Sequence, residues 1–126
     1  MSDHKEYIVK YWNQLEEYSP PKHSGTVNRR LLSGNETADS YSTVFGRIEP
    51  GGKAERHKHL ISSQLLVILA GTVLVDLDGQ EFELGKGDSV YIEPNVPHLV
   101  TVTSKDAVEL INVYQPPLAG NDIIGA

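Results

Sequence analysis

His57 and His59 stand two residues apart. On an extended segment side chains alternate between faces, so two imidazoles at this spacing leave the same face a few Å apart, at chelate spacing. The chain contains no cysteine, which leaves nitrogen and oxygen donors as the only way to hold a metal and removes disulfides and a cysteine nucleophile from consideration. A His-x-His pair alone is a weak signal, because surface histidines fall at that separation by chance and buried ones often bond to backbone. Its weight comes from the residues around it.

Gly51, His57, His59, Gln64 and Gly71 follow in the order G-x5-H-x-H-x4-Q-x6-G, and Gly87 and Asp88 open a segment that ends at Pro97-His98. At these positions the chain resembles the cupin superfamily, whose first motif reads G-x5-H-x-H-x3,4-E-x6-G and whose second reads G-x5-P-x-G-x2-H-x3-N. The first motif is nearly complete, with Gln64 where Glu is usual; the second keeps Gly87 and His98 but has Glu93, Asn95 and Val102 at its other positions. The resemblance implies an all-β double-stranded β-helix, a jelly-roll barrel. Its interior would hold one divalent metal ion, nickel, zinc, manganese or iron, on His57, His59, Gln64 and His98. Strand parity agrees independently: Gln64 shares a face with Leu66 and Ile68, and His98 with Val100 and Val102, as expected of side chains pointing into an apolar barrel.

Gln64 in place of a carboxylate makes the ligand set neutral, so a bound ion keeps its full double charge and acts as a stronger electrophile, which favours redox-neutral Lewis-acid chemistry. Two cupin groups share this His, His, Gln, His shell, one that linearises unsaturated uronates and one of polyketide cyclases. The first carries a D-x-F-x-P-P-R stretch after its last ligand. Here those positions are Asn112, Tyr114, Pro116, Pro117 and Leu118, so neither the carboxylate base nor the arginine is retained.

The elements that must position these groups are read from periodicity. Tyr7, Ile8, Tyr11, Trp12, Leu15 and Tyr18 recur at close to 3.6 residues ahead of Pro20-Pro21, which predicts an N-terminal α-helix over 1–20. Beyond it, runs rich in Val, Ile, Leu, Thr and Tyr predict strands at 26–32, 41–49, 54–59, 64–70, 72–77, 80–84, 89–92, 98–103 and 107–114. Asp78-Gly79 suits a tight hairpin. Parity on the last strand turns Asn112 and Tyr114 inward with Val108 and Leu110 and sends Glu109 to the other face. Arg47, with Tyr41 and Phe45, is a candidate inward fork for a carboxylate or phenolate, and Tyr91 a candidate acid or barrel wall. His23 lies outside both motifs as a candidate fifth ligand, and the adjacent Arg29 and Arg30 point to opposite faces, making no basic patch.

The chain of 126 residues is expected to be a single domain over 1–126, with the barrel at 26–114. Its net charge of -6 argues against nucleic acid and anionic membranes as partners, and its longest apolar run, 65–70, is far shorter than a membrane span. No basic-then-apolar leader opens the chain, so a cytoplasmic location is expected. The predicted helix and the 26–32 strand are placed to cover a partner's sheet edge, which gives the expectation of a homodimer. Three functions fit: a Lewis-acid enzyme that isomerises, cyclises, hydrates or dehydrates a small carbonyl or enol substrate through Asn112, Tyr114, Arg47 or Tyr91; an iron-dependent dioxygenase; and a non-enzymatic sugar or metabolite binder.

Overall fold

The computed structural model describes residues 7–21 and 23–125, with no side-chain description at 53 and 54. Eleven strands hold most of the described residues: β1 (Glu17–Tyr18), β2 (His23–Leu32), β3 (Ser42–Ala54), β4 (His57–His59), β5 (Ser63–Ala70), β6 (Val73–Leu77), β7 (Gln80–Leu84), β8 (Ser89–Ile92), β9 (His98–Val102), β10 (Val108–Gln115) and β11 (Ile123–Gly125). All pairings are antiparallel. One wall of the barrel runs β1-β2-β3-β10-β5-β8 and the other β11-β4-β9-β6-β7, and the far end of the long β3 joins them through Lys53 opposite Thr101.

The expected strands are found from β5 to β10, and on β5, β6 and β10 buried positions alternate with less buried ones at a period of two. Asp78 and Gly79 both take positive φ, 51° and 92°, and close the β6–β7 hairpin as their side chains allow. The segment expected as a strand over 54–59 is divided: β3 continues to Ala54, and only His57–His59 forms β4. The chain after residue 114, where no element was expected, makes a 3-10 turn at Gly120–Asp122 and then β11, which pairs with β4.

The N-terminal helix is not formed by the described residues; 1–6 of the expected span lie outside them. Trp12–Gln14 makes one 3-10 turn, flanked by extended Tyr11 and Leu15, and β1 pairs with β2. Tyr, Ile, Val and Trp have weak helix propensity and suit a pleated sheet, so a sheet edge outcompetes an isolated helix of marginal length. The contacts are specific. The Trp12 ring meets Phe45 edge-on at 4.7 Å, the Arg29 guanidinium lies 4.1 Å over it, and Arg29 also pairs with Glu17.

The core is graded along the barrel. Ile48, Leu66, Ile68, Val73, Val75, Val108 and Leu110 form a buried apolar plug. Burial of each such side chain is worth ~1.5–3 kcal/mol relative to exposure. Towards the other end the same inward-facing rows turn polar: Leu66 gives way to Gln64 on β5, Leu110 to Asn112 and Tyr114 on β10, and Val100 to His98 on β9. The plug is thus the floor of an open-ended cavity.

Candidate metal centre and cavity

Two strands, β4 and β9, bring the histidines together. His57 and His59 leave the inner face of β4, and His98 sits directly opposite His57 in the β4–β9 register. Ring centroids are 4.4 Å apart for His57–His98 and 5.2 Å for both other pairs, and one ring nitrogen of each lies within 4.8 Å of the others. Each Nδ1 faces a backbone carbonyl: Glu55 at 2.8 Å for His57, Asp122 at 3.1 Å for His59 and Val96 at 2.9 Å for His98. A carbonyl can only accept, so Nδ1 carries the proton and Nε2 presents its lone pair to the centre.

Gln64 completes the cluster from β5. Its Nε2 donates to Asn112 Oδ1 at 2.8 Å, which fixes the amide so that Oε1 remains as an acceptor. Among the described residues, the buried atoms His59 Nε2, His98 Nε2 and Gln64 Oε1 have no hydrogen-bond partner. An unsatisfied buried polar atom costs ~1–3 kcal/mol, and three acceptors converging without a donor are what a cation needs. The His57, His59, His98 and Gln64 cluster therefore fits a metal site. Burial lowers the pKa of His98 to about 4 and lowers that of His59, so both imidazoles are neutral and able to ligate near neutral pH.

The loop between β4 and β5 is held by Asp122, a residue not singled out from the sequence. Its carboxylate is buried and accepts the N–H groups of Leu60 (2.8 Å), Ile61 (3.0 Å) and Ser62 (3.0 Å). Burial pushes its pKa up, but the three amides and the nearby His59 outweigh this and hold it below the ordinary value. One residue thus binds His59 through its carbonyl and fixes the connection to Gln64 through its carboxylate. No spacing rule in the sequence marks it.

The cavity above the cluster has a volume of about 200 Å³. Asn112 and Tyr114 line it, as expected. Tyr114 is buried with its ring 5.6 Å from His59, and burial raises its pKa, so the phenol stays protonated. Arg47 and Tyr91 are corrections. Arg47 points outward, 51% exposed and paired with Glu49 at 3.0 Å, because Val44, Gly46 and Ile48 take the inward positions of β3. Apolar residues at both parities, Phe45 as well as Val44, make that strand ambiguous to read. Tyr91 is 59% exposed on the outer face of β8, where Ile92 faces in opposite Gln64. His23 does reach the cavity, with its ring 5.5 Å from His57 and its Nδ1 on the Pro21 carbonyl at 2.7 Å. Tyr18, Asn28 and Arg30 also line it, and among the described residues none of the lining side chains is Asp or Glu.

The cupin-domain family model matches residues 44–114, and the chain belongs to that family. It is 32% identical over 99 residues to an uncharacterized protein of Methanocaldococcus jannaschii, covering 78% of this chain and 79% of that one. Among solved structures it is similar to the polyketide cyclase RemF from Streptomyces resistomycificus, with a TM-score of 0.78, 18% identity and coverage of 96% of this chain and 86% of the other. It is also similar to Pac13, a nucleoside dehydratase of Streptomyces, with a TM-score of 0.76, 14% identity and coverage of 97% and 92%. At these identities the two structures establish a shared fold. Among the described residues, no helix is long and apolar enough to cross a membrane.

Proposed function

We propose that this cupin is a metal-dependent enzyme that isomerises, cyclises, hydrates or dehydrates a small carbonyl or enol substrate without net redox change. The observation that carries this reading is the convergence of buried neutral acceptors, His59 Nε2, His98 Nε2 and Gln64 Oε1, unpartnered among the described residues, at the base of a cavity whose lining has no carboxylate among those residues. A divalent ion held there by His57, His59, His98 and Gln64 would supply Lewis-acid polarisation undiminished by an anionic ligand. The chain supplies the rest. The protonated Tyr114 phenol can donate to an oxygen on which negative charge develops, and Asn112 keeps Gln64 in its orientation. His23, its Nδ1 committed to Pro21, offers Nε2 to accept a proton from substrate. The apolar floor of Ile48, Leu66 and Leu110 keeps water from the inner end. The likeness to a cyclase and a dehydratase supports chemistry of this kind.

The test is metal analysis of protein purified without chelators or nickel-affinity resin, followed by assays of carbonyl and enol substrates under argon and under air. Turnover that needs the metal and is equal in both atmospheres is the expected result. Oxygen uptake coupled to turnover would instead establish the iron-dioxygenase alternative, and metal content unchanged in His57→Ala and His98→Ala proteins would remove the metal site altogether. The reading extends to a homodimer, supported by exposed Tyr7, Ile8, Tyr11 and Trp12 in the segment that leads into β1. Light scattering at high micromolar concentration should give twice the 13.9 kDa chain mass; a monodisperse monomer would count against it.

A further inference from the structure

We infer that Arg30 anchors the substrate, and that the substrate is a small organic oxyanion, a carboxylate or a phosphate monoester. The inference rests on the enzyme reading for the word substrate, but its physical basis is separate. The chain has four arginines, and three are neutralised: Arg29 by Glu17 at 2.6 Å, Arg47 by Glu49 at 3.0 Å and Arg56 by Asp76 at 2.9 Å. Arg30 forms no ion pair among the described residues, in a chain carrying 17 Asp and Glu. It is also the arginine that lines the cavity.

Strand β2 explains why. Thr26, Asn28 and Arg30 alternate onto the cavity wall while Arg29 is turned outward to Trp12 and Glu17. The Arg30 guanidinium lies 4.9 Å over the Tyr18 ring. Stacking occupies the face of the guanidinium and leaves its N–H edges free for the planar fork that binds carboxylate or phosphate oxygens. Gly46 keeps the neighbouring space open, since a Cβ there would stand 3.0 Å from Asn28 Oδ1 and 3.1 Å from Leu110 Cδ1.

The sign and size of the cavity agree. The molecule carries a net charge of -6, yet among the described residues no Asp or Glu lines this cavity and a cation without an ion pair does, so its local field opposes that of the surface around it. Its volume of about 200 Å³ lies below the ~300–1,000 Å³ of pockets for drug-sized ligands, which restricts the anion to a few carbons.

Calorimetric titration of malonate, succinate, glycerol phosphate and uncharged malonamide into metal-loaded and EDTA-stripped protein tests this. The stripped form excludes direct ligation of an ion by the probe. At least one anion should bind both forms, more tightly than malonamide, and Arg30→Gln should weaken it ~10- to 100-fold, with Arg30→Lys intermediate. Tightest binding by malonate or succinate identifies a carboxylate, and by glycerol phosphate a phosphate ester. Equal affinity in wild type and Arg30→Gln, or malonamide binding as well as malonate, would overturn the anchor. Arg30 is exposed, so folding of the variants is not at stake; unchanged melting of Arg30→Lys confirms it. Failure of the metal reading is distinguishable, because it would leave Arg30-dependent binding to the stripped protein intact.

Discussion

Each imidazole of the cluster gives one nitrogen to a backbone carbonyl and the other to the centre, so the three are not interchangeable with other polar side chains. His57→Ala, His59→Ala and His98→Ala should each remove most bound metal, whereas Gln64→Ala should weaken it less, an amide oxygen being a poorer donor than imidazole. Atomic-emission analysis of the purified variants checks the ranking, and equal losses at all four positions would contradict it. Asn112 acts through Gln64. Asn112→Leu frees the amide to rotate and should cost ~10- to 100-fold in metal affinity, the usual effect of losing a partner that orients a ligand. Gln64→Glu supplies an anionic ligand, provided the Asn112 amide turns to donate in place of accepting. It should bind metal more tightly while slowing redox-neutral turnover, because the carboxylate cancels part of the ion's charge. Faster turnover in a metal-replete Gln64→Glu protein would argue against the Lewis-acid reading.

At the scale of elements, the connection between β4 and β5 carries the site, because it joins two histidines to the glutamine in four residues. Asp122 holds that connection from the far end of the chain, through three amide N–H groups at 2.8–3.0 Å. Asp122→Ala leaves three inward-pointing donors without an acceptor and should destabilise the fold by ~3 kcal/mol or more, read as a lower urea midpoint. Asp122→Asn retains an acceptor oxygen but loses the charge, so its loss should be smaller. Both should weaken metal binding, since the same residue orients His59 through its carbonyl. Full metal affinity in Asp122→Ala would show that β4 positions His59 unaided.

For the whole molecule, the buried neutral imidazoles couple stability to pH. The folded pKa of His98 is lowered from 6.5 to about 4, chiefly by burial, and that of His59 is lowered for the same reason. The unfolded chain therefore binds these protons first as pH falls. Stability is full above pH 6.5 and declines between about 6.5 and 4, by on the order of 3 kcal/mol from His98 alone. Asp122, its folded pKa lowered from 3.8, adds a further loss below its unfolded value. Thermal melts of metal-free protein at pH 7.5 and 5 should differ by several degrees, and His98→Gln should flatten the dependence. Added divalent metal should raise the melting temperature at the higher pH, because only the folded chain assembles the site.

The fold and the four residues of the cluster were legible in the chain because both are written in local periodicity. A period of two fixes which side chains share a face, and His57, His59, Gln64, His98, Asn112 and Tyr114 all fall on inward positions of their strands. Arg47 and Tyr91 were misread where that rule loses force, on strands with apolar side chains at both parities; only packing against the opposite wall chooses the face. The N-terminal segment shows the same limit, since its 3.6-residue spacing suited a helix and contact of Trp12 with Phe45 and Arg29 drew it onto the sheet instead. Parity puts Arg29 and Arg30 on opposite faces and so excludes a basic patch, but it does not say which of the two faces the cavity; that one is Arg30. Asp122 lies 63 residues from His59 in sequence, and no periodic pattern reaches across such a distance. The sequence by itself determined the strands from β5 to β10 and the metal-site donors on inner faces, because these depend on neighbours along the chain. Tertiary structure alone decided what closes around those donors, because Asp122, Arg30 and Tyr18 meet the site only when remote segments pack against it.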